Sequence, residues 1–242
     1  MIRRAMVLAA GRGTRLAPLT DTTPKPLVSV AGRPLLEHIL DFLRAGGIAE
    51  VVINLHHLGH RIADHLGDGQ RFGLRIQYSW ESPILDTGGG IKRAEPLLGG
   101  EPFVVINGDS LLEVRLADVI AYHRERAGIA TMVVRPDPDA ARYGLVELDR
   151  DDRVRRVTGQ PPAPVSGLRG FMFPGLHVFE PAIFDWMTAG SPFSVTRVTY
   201  PRLLAADVPV YGWVTEARWV NIDTPARLAS ADAELRRRRF RF

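Results

Sequence analysis

The run Val7-Leu8-Ala9-Ala10-Gly11-Arg12-Gly13-Thr14-Arg15-Leu16 feeds a short apolar stretch into a glycine loop that carries two arginines. Further on, Lys25 sits between Pro24 and Pro26. Small residues let backbone N–H groups approach an anion closely, and cations beside them neutralise it. The stretch is therefore read as a phosphate-handling loop. It is neither of two widespread designs. The dinucleotide fingerprint needs a third glycine where Leu16 stands, and the Gly-Lys-Ser/Thr ending of the P-loop follows neither Gly11 nor Gly13. A glycine pair after a strand also serves as a plain turn, so the weight lies on the whole string.

Asp109 is the best single candidate for a metal ligand. It follows the apolar run Phe103–Ile106 and the pair Asn107-Gly108, so its carboxylate can reach past a strand end into a cleft. Mg²⁺ takes few protein carboxylates and completes its shell with phosphate oxygens and water. Asn-Gly-Asp alone equally suits a turn aspartate bonded to its own backbone. His56, His57 and His60 have no further ligands at tetrahedral-site spacing and are read as a loop and helix start. The chain has no cysteine, which excludes disulfides, thiolate metal sites and cysteine nucleophiles. No Gly-x-Ser-x-Gly elbow is present.

The elements that must hold these residues follow from apolar spacing. Arg4–Ala9 reads as a buried strand. Pro34–Ala45 is a helix, with Leu35, Leu36, Ile39, Leu40 and Leu43 at helical intervals and Gly46-Gly47 as the stop. Val51–Asn54 is a strand, Leu58–Leu66 a helix, and Leu74–Ser79 an alternating strand. Thr87-Gly88-Gly89-Gly90 opens a helix to Leu98, and Phe103–Ile106 is the next strand. This alternation argues an α/β fold, a mostly parallel central sheet with helices on both faces. Ligands of such sheets gather beyond the carboxyl ends of the strands, where both the glycine loop and Asp109 lie.

The second half is less regular. Leu116–Arg126 reads as a helix, and Ala130–Arg135, Tyr143–Leu148, Val154–Val157 and Phe171–Phe179 as strands. Gln160–Pro164 reads as an exposed loop, Pro181–Met187 and Thr196–Ala205 as helical, the latter interrupted at Pro201, and Val208–Val214 as a strand. Thr224 caps a final helix, with Pro225 in its first turn.

The 242 residues are 45% hydrophobic and 24% charged, the balance of an ordinary soluble globular protein. No apolar stretch approaches the ~20 residues of a bilayer span, and the run Ala5–Ala10 is too short for a signal peptide, so a membrane is not expected and a cytoplasmic location is. Much of the formal charge of +4 comes from Arg236–Arg239 and Arg241. These are read as a solvated helix end rather than a nucleic-acid patch, so no nucleic-acid partner is expected.

The opening Leu8-Ala9-Ala10-Gly11-Arg12-Gly13-Thr14-Arg15-Leu16, continued through Thr23-Pro24-Lys25-Pro26 to Leu40, resembles the signature of the sugar-1-phosphate nucleotidyltransferases, or NDP-sugar pyrophosphorylases. The resemblance implies a single Rossmann-like nucleotidyltransferase domain over residues 1–242. About residues 1–112 would face the nucleotide and 113–242 the sugar phosphate, with no second domain after this core. It implies catalytic roles for Arg15 and Lys25 and nucleotide contacts at Leu8, Ala10, Gly11, Gly13, Thr87, Gly88 and Asn107. The substrates implied are a nucleoside triphosphate and a sugar 1-phosphate, with Mg²⁺ as cofactor. A homo-oligomer is compatible with the sequence, which does not set the oligomeric state.

Asp109 resembles the family's metal-binding aspartate. The second one belongs to a Trp-x-Asp-x-Gly-Thr pattern, which reads here Trp219-Val220-Asn221-Ile222-Asp223-Thr224. Aligned on Trp219 and Thr224, the aspartate falls on Asn221. Asp223 would share its face in an extended segment, or serve as a favourable charge at the start of the final helix. Asp109 with one of this pair, Asn221 ahead of Asp223, is the expected metal site. For the sugar, Gly144 and Glu147 in Tyr143-Gly144-Leu145-Val146-Glu147, and Gly175, resemble the family's contacts. Many relatives carry a Glu-Lys-Pro whose lysine meets the sugar phosphate. Here the match is Gly159-Gln160-Pro161, so that cation is missing, and neither Arg169 nor Arg197 is assigned to replace it. Thr87-Gly88-Gly89-Gly90-Ile91 resembles the base-recognition segment of N-acetylmuramate-1-phosphate uridylyltransferases, enzymes of nucleotide-sugar synthesis for the cell envelope. Mannose-1-phosphate guanylyltransferases have a similar layout. UTP is expected over GTP. A silent nucleotide-sugar-binding module is the alternative that the departures at Asn221 and Gln160 keep open.

Overall fold

The computed structural model describes residues 2–162 and 166–238. Its centre is a seven-stranded sheet. The strands lie in the order Val210–Val214, Ala130–Val134, Leu176–Phe179, Phe103–Asn107, Arg4–Leu8, Glu50–Leu55, Arg75–Trp80. Leu176–Phe179 runs against both its neighbours, and every other pairing is parallel. The mostly parallel α/β sheet expected from the alternation of elements is therefore present.

The inner strands are mostly apolar because both sheet faces are covered, whereas the edge strand Arg75–Trp80 alternates. Alternate residues of one strand serve two cores. Ala5, Val7, Val104 and Ile106 join the helix Leu35–Ala45 on one face, whereas Met6, Phe103 and Val105 join Ile91, Phe184 and Tyr200 on the other. That helix buries all five residues that predicted it, plus Phe42. Its end is sharp because Gly46 lies against Leu116, where a Cβ would come within 2.6 Å of the leucine side chain.

The expected elements shift in three instructive places. The single helix from Thr87 to Leu98 is two, Asp86–Arg93 and Glu95–Leu98, because Pro96 cannot continue the first. The single strand Phe171–Phe179 is also two. Arg169–Met172 belongs to a separate three-stranded sheet with Leu145–Leu148 and Val154–Val157, and Leu176–Phe179 to the central one. Pro174 and Gly175, the latter at φ +95°, make the break. Thr196–Ala205 is a π-turn, Val195–Thr199, followed by the helix Tyr200–Ala205 with Pro201 in its first turn. Of the loop Gln160–Pro164, Gln160 is exposed and Ala163 and Pro164 lie outside the described residues, as do Arg239 and Arg241 of the arginine run.

A short antiparallel ribbon completes the frame. Ser110–Leu112 pairs with Trp219–Asn221, Ser110 opposite Asn221. Ile222 N–H donates to the carbonyl of Asp109 at 2.9 Å. Residues far apart in sequence thus leave the ribbon side by side at the carboxyl end of the central sheet.

Candidate active site

A cleft of about 340 Å³ opens at that end. Its floor is the register of three parallel strands, in which Leu8 lies between Asn54 and Asn107. The chain then turns upward through Ala9, Ala10 and Gly11. Asn54, 3% exposed, accepts the Ala9 N–H on Oδ1 at 2.7 Å and donates through Nδ2 to Glu81 at 2.7 Å. The other Glu81 oxygen accepts the Leu85 N–H at 2.8 Å. A buried polar chain therefore ties the start of the glycine turn to the loop before Thr87. Asn54 and Glu81 both line the cleft. Neither was expected from the sequence, although Asn54 is a polar residue near the end of an apolar strand, the signal that singled out Asp109.

The glycines of the loop have different causes. Gly13 sits at φ +64°, and a Cβ there would press on Lys25 and Thr20 at 3.0 Å. Thr20 Oγ1 donates to the Gly13 carbonyl at 3.0 Å. Among the described residues, Gly11 has nothing within 4 Å of where its Cβ would be. Packing does not demand a glycine at Gly11, so the space it leaves is available to a ligand. The segment after the loop is clamped from the neighbouring helix. His57 Nε2 bonds the Thr20 carbonyl at 3.0 Å, and Arg61 bonds that of Thr22. His56 meets the Glu81 carbonyl at 3.1 Å. His56 and His57 thus have backbone partners, and His60 is exposed in the helix Gly59–Leu66, so the three form a loop and helix start, as read from the sequence.

Two ion pairs span the cleft. Lys25, placed by the short 3₁₀ turn Lys25–Leu27, donates to Asp109 at 2.9 Å. Arg15 donates to Asp223 at 2.6 Å, with the arginine side chain 66% exposed and the aspartate 4%. Asp109 can stand close to the glycine turn because Gly108 lets its N–H reach the Leu8 carbonyl at 2.9 Å. A Cβ on Gly108 would lie 2.6 Å from that same oxygen.

Of the residues expected to bind nucleotide, Leu8, Ala10, Gly11, Gly13, Thr87 and Asn107 line this cleft. Gly88 does not. It packs under Phe193, whose ring a Cβ would strike at 2.1 Å, and its N–H donates to the Phe193 carbonyl at 2.8 Å. Gly90 likewise makes room for Glu81 and Asn54. The triple glycine permits close packing of the helix Asp86–Arg93 instead of opening backbone to the cleft.

Asp109 and Asp223 both line the cleft, and Asn221 does not. Asn221 ends its strand facing a second, smaller groove beside the final helix, with its buried Oδ1 lacking a hydrogen-bond partner among the described residues. The chain leaves the ribbon after Asn221, and Asp223 is what turns in toward Arg15. Gly144, at φ +100°, follows Tyr143 outside the cleft. Glu147 is tied to Arg156 at 2.7 Å in the three-stranded sheet. Gly175 sits behind Asn107, where a Cβ would meet the amide at 2.3 Å, and its carbonyl accepts the Asn107 N–H at 2.8 Å.

Beneath the second half lies a buried aromatic group. His177 Nδ1 and the Tyr200 hydroxyl are 2.6 Å apart, both side chains packed with Phe179. Burial pushes the His177 pKa down to about 3 and the Tyr200 pKa well up. His177 is therefore neutral near pH 7 and plays a packing role.

Residues 4–237 match the family model for nucleotidyl transferases. The chain is 39% identical to N-acetylmuramate alpha-1-phosphate uridylyltransferase of Neisseria meningitidis serogroup B, over 95% of this chain and 97% of that one. It is 36% identical to mannose-1-phosphate guanylyltransferase of Mycobacterium tuberculosis, over 96% of this chain and 64% of that one. The mycobacterial protein is one of several longer relatives of whose length the chain spans between 60% and 64%. The fold superposes on HddC from Yersinia pseudotuberculosis with a TM-score of 0.80 at 23% identity, over 97% of this chain and 100% of that one. With a glycine loop, a lysine and two aspartates gathered at the carboxyl end of a parallel sheet, and with nearly its whole length matched, the chain belongs to the nucleotidyl transferase family.

Proposed function

We propose that this chain joins a nucleoside triphosphate to a sugar 1-phosphate, giving a nucleotide-sugar and pyrophosphate. The observation that carries the reading is the pair of ion pairs, Lys25–Asp109 and Arg15–Asp223, set across the turn whose Gly11 leaves open space. In this reading the chain works as one domain, its first 112 residues or so facing the nucleotide. An oxygen of the sugar phosphate attacks the α-phosphorus, the bond to the β-phosphate oxygen breaks, and pyrophosphate leaves. Such chemistry asks the protein to position and neutralise. The turn Ala10–Gly13 seats the phosphates, Arg15 meets the leaving pyrophosphate, and Lys25 stands by the α-phosphate. The Asn54–Glu81 chain fixes the turn against the loop that carries Thr87.

The donors present suit Mg²⁺. Among the described residues no group of three or more His, Cys, Asp or Glu converges as a metal cage. Two carboxylate oxygens facing a phosphate cleft are what a hard cation needs when substrate and water supply the rest. Asp109 and Asp223 would hold it, and its chemistry would be to neutralise phosphate oxygens. Asn221, turned to the other groove, is the weaker candidate.

UTP with an N-acetylmuramate-like 1-phosphate is the preferred pair, supported by the Neisseria relative, which this chain matches over nearly its full length. GTP with mannose 1-phosphate is the second reading, supported by the mycobacterial relative. Pyrophosphate release across four triphosphates and several sugar 1-phosphates tests both. Turnover with UTP and N-acetylmuramate 1-phosphate is expected. A GTP preference would promote the second reading, and silence with every pair would leave only a binding module.

A further inference from the structure

The cations and carboxylates that line the cleft are already bonded to one another. Lys25 Nζ donates to Asp109 Oδ2 at 2.9 Å, and Arg15 Nη1 donates to Asp223 Oδ2 at 2.6 Å. All four residues face the same space. The groups suited to phosphate therefore hold the groups suited to a metal. A divalent cation needs a carboxylate lone pair. An ammonium or guanidinium bonded to that oxygen takes the lone pair and repels the incoming charge.

The pairs are built so that one of them can open without stranding a buried charge. Asp223 is 4% exposed, and a second guanidinium, that of Arg227, reaches its Oδ1 at 3.1 Å. Arg227 comes from the side away from the cleft, where it lines the second groove. It is fixed there by a hydrogen bond to the Tyr143 hydroxyl and by the Tyr143 ring, 5.4 Å from its guanidinium. One guanidinium suffices to balance a buried carboxylate. Asp223 thus stays paired with Arg227 when Arg15 departs, and the oxygen that is released faces the cleft. Arg15 is the partner with room to move, its side chain being 66% exposed. On the other pair Asp109 is 37% exposed, so water can solvate its carboxylate once Lys25 turns away. A triphosphate brings several negative charges and oxygens that match a guanidinium's paired donors, and it competes with a single carboxylate for Arg15 and Lys25. The same phosphates supply the remaining oxygens that a hard cation requires.

We propose that Arg15 and Lys25 interlock the metal site: in the ligand-free protein they close Asp223 and Asp109 to a divalent cation, and a triphosphate opens the site by drawing both cations to itself. Metal and triphosphate then bind together, and neither carboxylate takes metal alone. The coupling is reciprocal, so the metal tightens the triphosphate by the factor by which the triphosphate tightens the metal. The inference rests on the metal-binding role proposed above for Asp109 and Asp223 and adds the order in which the site is assembled.

The test counts bound Mn²⁺, used as a probe for a hard divalent cation, by electron paramagnetic resonance with no nucleotide and no sugar phosphate present. It compares wild type with Arg15→Met, Lys25→Met and the double variant Arg15→Met/Asp223→Asn. Arg12→Met is the control for general charge, because Arg12 is an exposed arginine of the same loop that does not line the cleft. Arg15→Met should bind Mn²⁺ about tenfold more tightly than wild type, the effect of removing one opposing charge contact. Lys25→Met should shift in the same direction. The double variant should lose the gain, and Arg12→Met should stay within about twofold of wild type. Equal affinity in wild type and Arg15→Met would overturn the interlock. So would an equal gain in Arg12→Met, or a gain that survives in the double variant. Should Lys25→Met fail to fold, Arg15→Met decides, since its side chain is exposed and Asp223 keeps Arg227. Because no acceptor is present, the result is separate from the transfer reaction. A protein silent with every sugar 1-phosphate that shows the gain keeps the interlock and loses the reaction. An active one without the gain keeps the reaction and loses the interlock.

Discussion

The glycine turn and the Tyr143–Arg227 corner stand on opposite sides of Asp223, and they are built differently. The turn is made of neighbours in sequence, on strands adjacent in a parallel sheet, and is braced from below by the Asn54–Glu81 chain. The corner is made of Tyr143, Trp219, Asp223 and Arg227, brought together from a short helix, a two-stranded ribbon and a helix cap. A local loop can carry its own specification. The corner exists only when several long-range contacts form together. In this molecule the phosphate-loop side is specified locally, and the corner on the far side of Asp223 is assembled from distant parts.

The largest expected break in this comparison is on the loop side. Arg15→Ala should lower kcat/KM by at least about 10²-fold, as loss of one transition-state charge partner does. Its melting temperature should hardly move, because the side chain is 66% exposed and Asp223 keeps Arg227. Steady-state kinetics with thermal unfolding checks both halves of the statement.

Next is the brace. Asn54→Ala leaves the Ala9 N–H and a Glu81 oxygen without their buried partner, which should cost about 2 kcal/mol of stability. It should also raise KM for the triphosphate, read from urea unfolding and initial rates. An unaltered unfolding midpoint would show that the turn supports itself.

The third sharpens the boundary between the two sides. Asp223→Asn should raise the Mg²⁺ concentration for half-maximal rate about tenfold, the equivalent of one charge contact weakened by ~1.4 kcal/mol, while Asn221→Ala should leave it unchanged. Magnesium titrations of both variants decide, and the reverse ranking would return the metal to Asn221.

The smallest effect concerns the second core. Burial holds His177 neutral down to about pH 3, whereas the unfolded chain protonates it near 6.5. Between those values the unfolded state binds more protons, so this group's contribution to stability is intact above pH 6.5 and declines as pH falls toward 3. His177→Phe should therefore flatten part of the acid slope of the melting temperature. An identical slope in both proteins would show that His177 is solvated or protonated in the fold.

The loop side was legible in the residues because its constraints are local. Gly13 needs a left-handed backbone, Lys25 follows from a proline-bounded turn, and Gly108 permits Asp109 to sit against Leu8. Asn54 carried the same signal as Asp109, a polar residue at the end of an apolar run, yet its partner Glu81 follows an alternating strand and lies 27 positions away. The triple glycine at Gly88–Gly90 suggests ligand approach when read along the chain. Phe193 and Glu81, which fill the space above it, come from elsewhere. Phe171–Phe179 reads as one strand because both pieces are apolar, and the change of sheet at Pro174-Gly175 depends on which neighbours are present.

By itself the sequence determined the alternation of strands and helices, the phosphate loop and the placement of Asp109, since hydrophobic period, glycine freedom and proline geometry act over a few residues. Only the tertiary structure decided between Asn221 and Asp223 at the cleft wall. Their spacing allows either one. The ribbon pairing of Asn221 with Ser110, the Ile222–Asp109 hydrogen bond and the two arginines on Asp223 fix which of the two side chains turns inward. All of these contacts except the one from Arg227 join residues from opposite parts of the chain, and no local propensity encodes them.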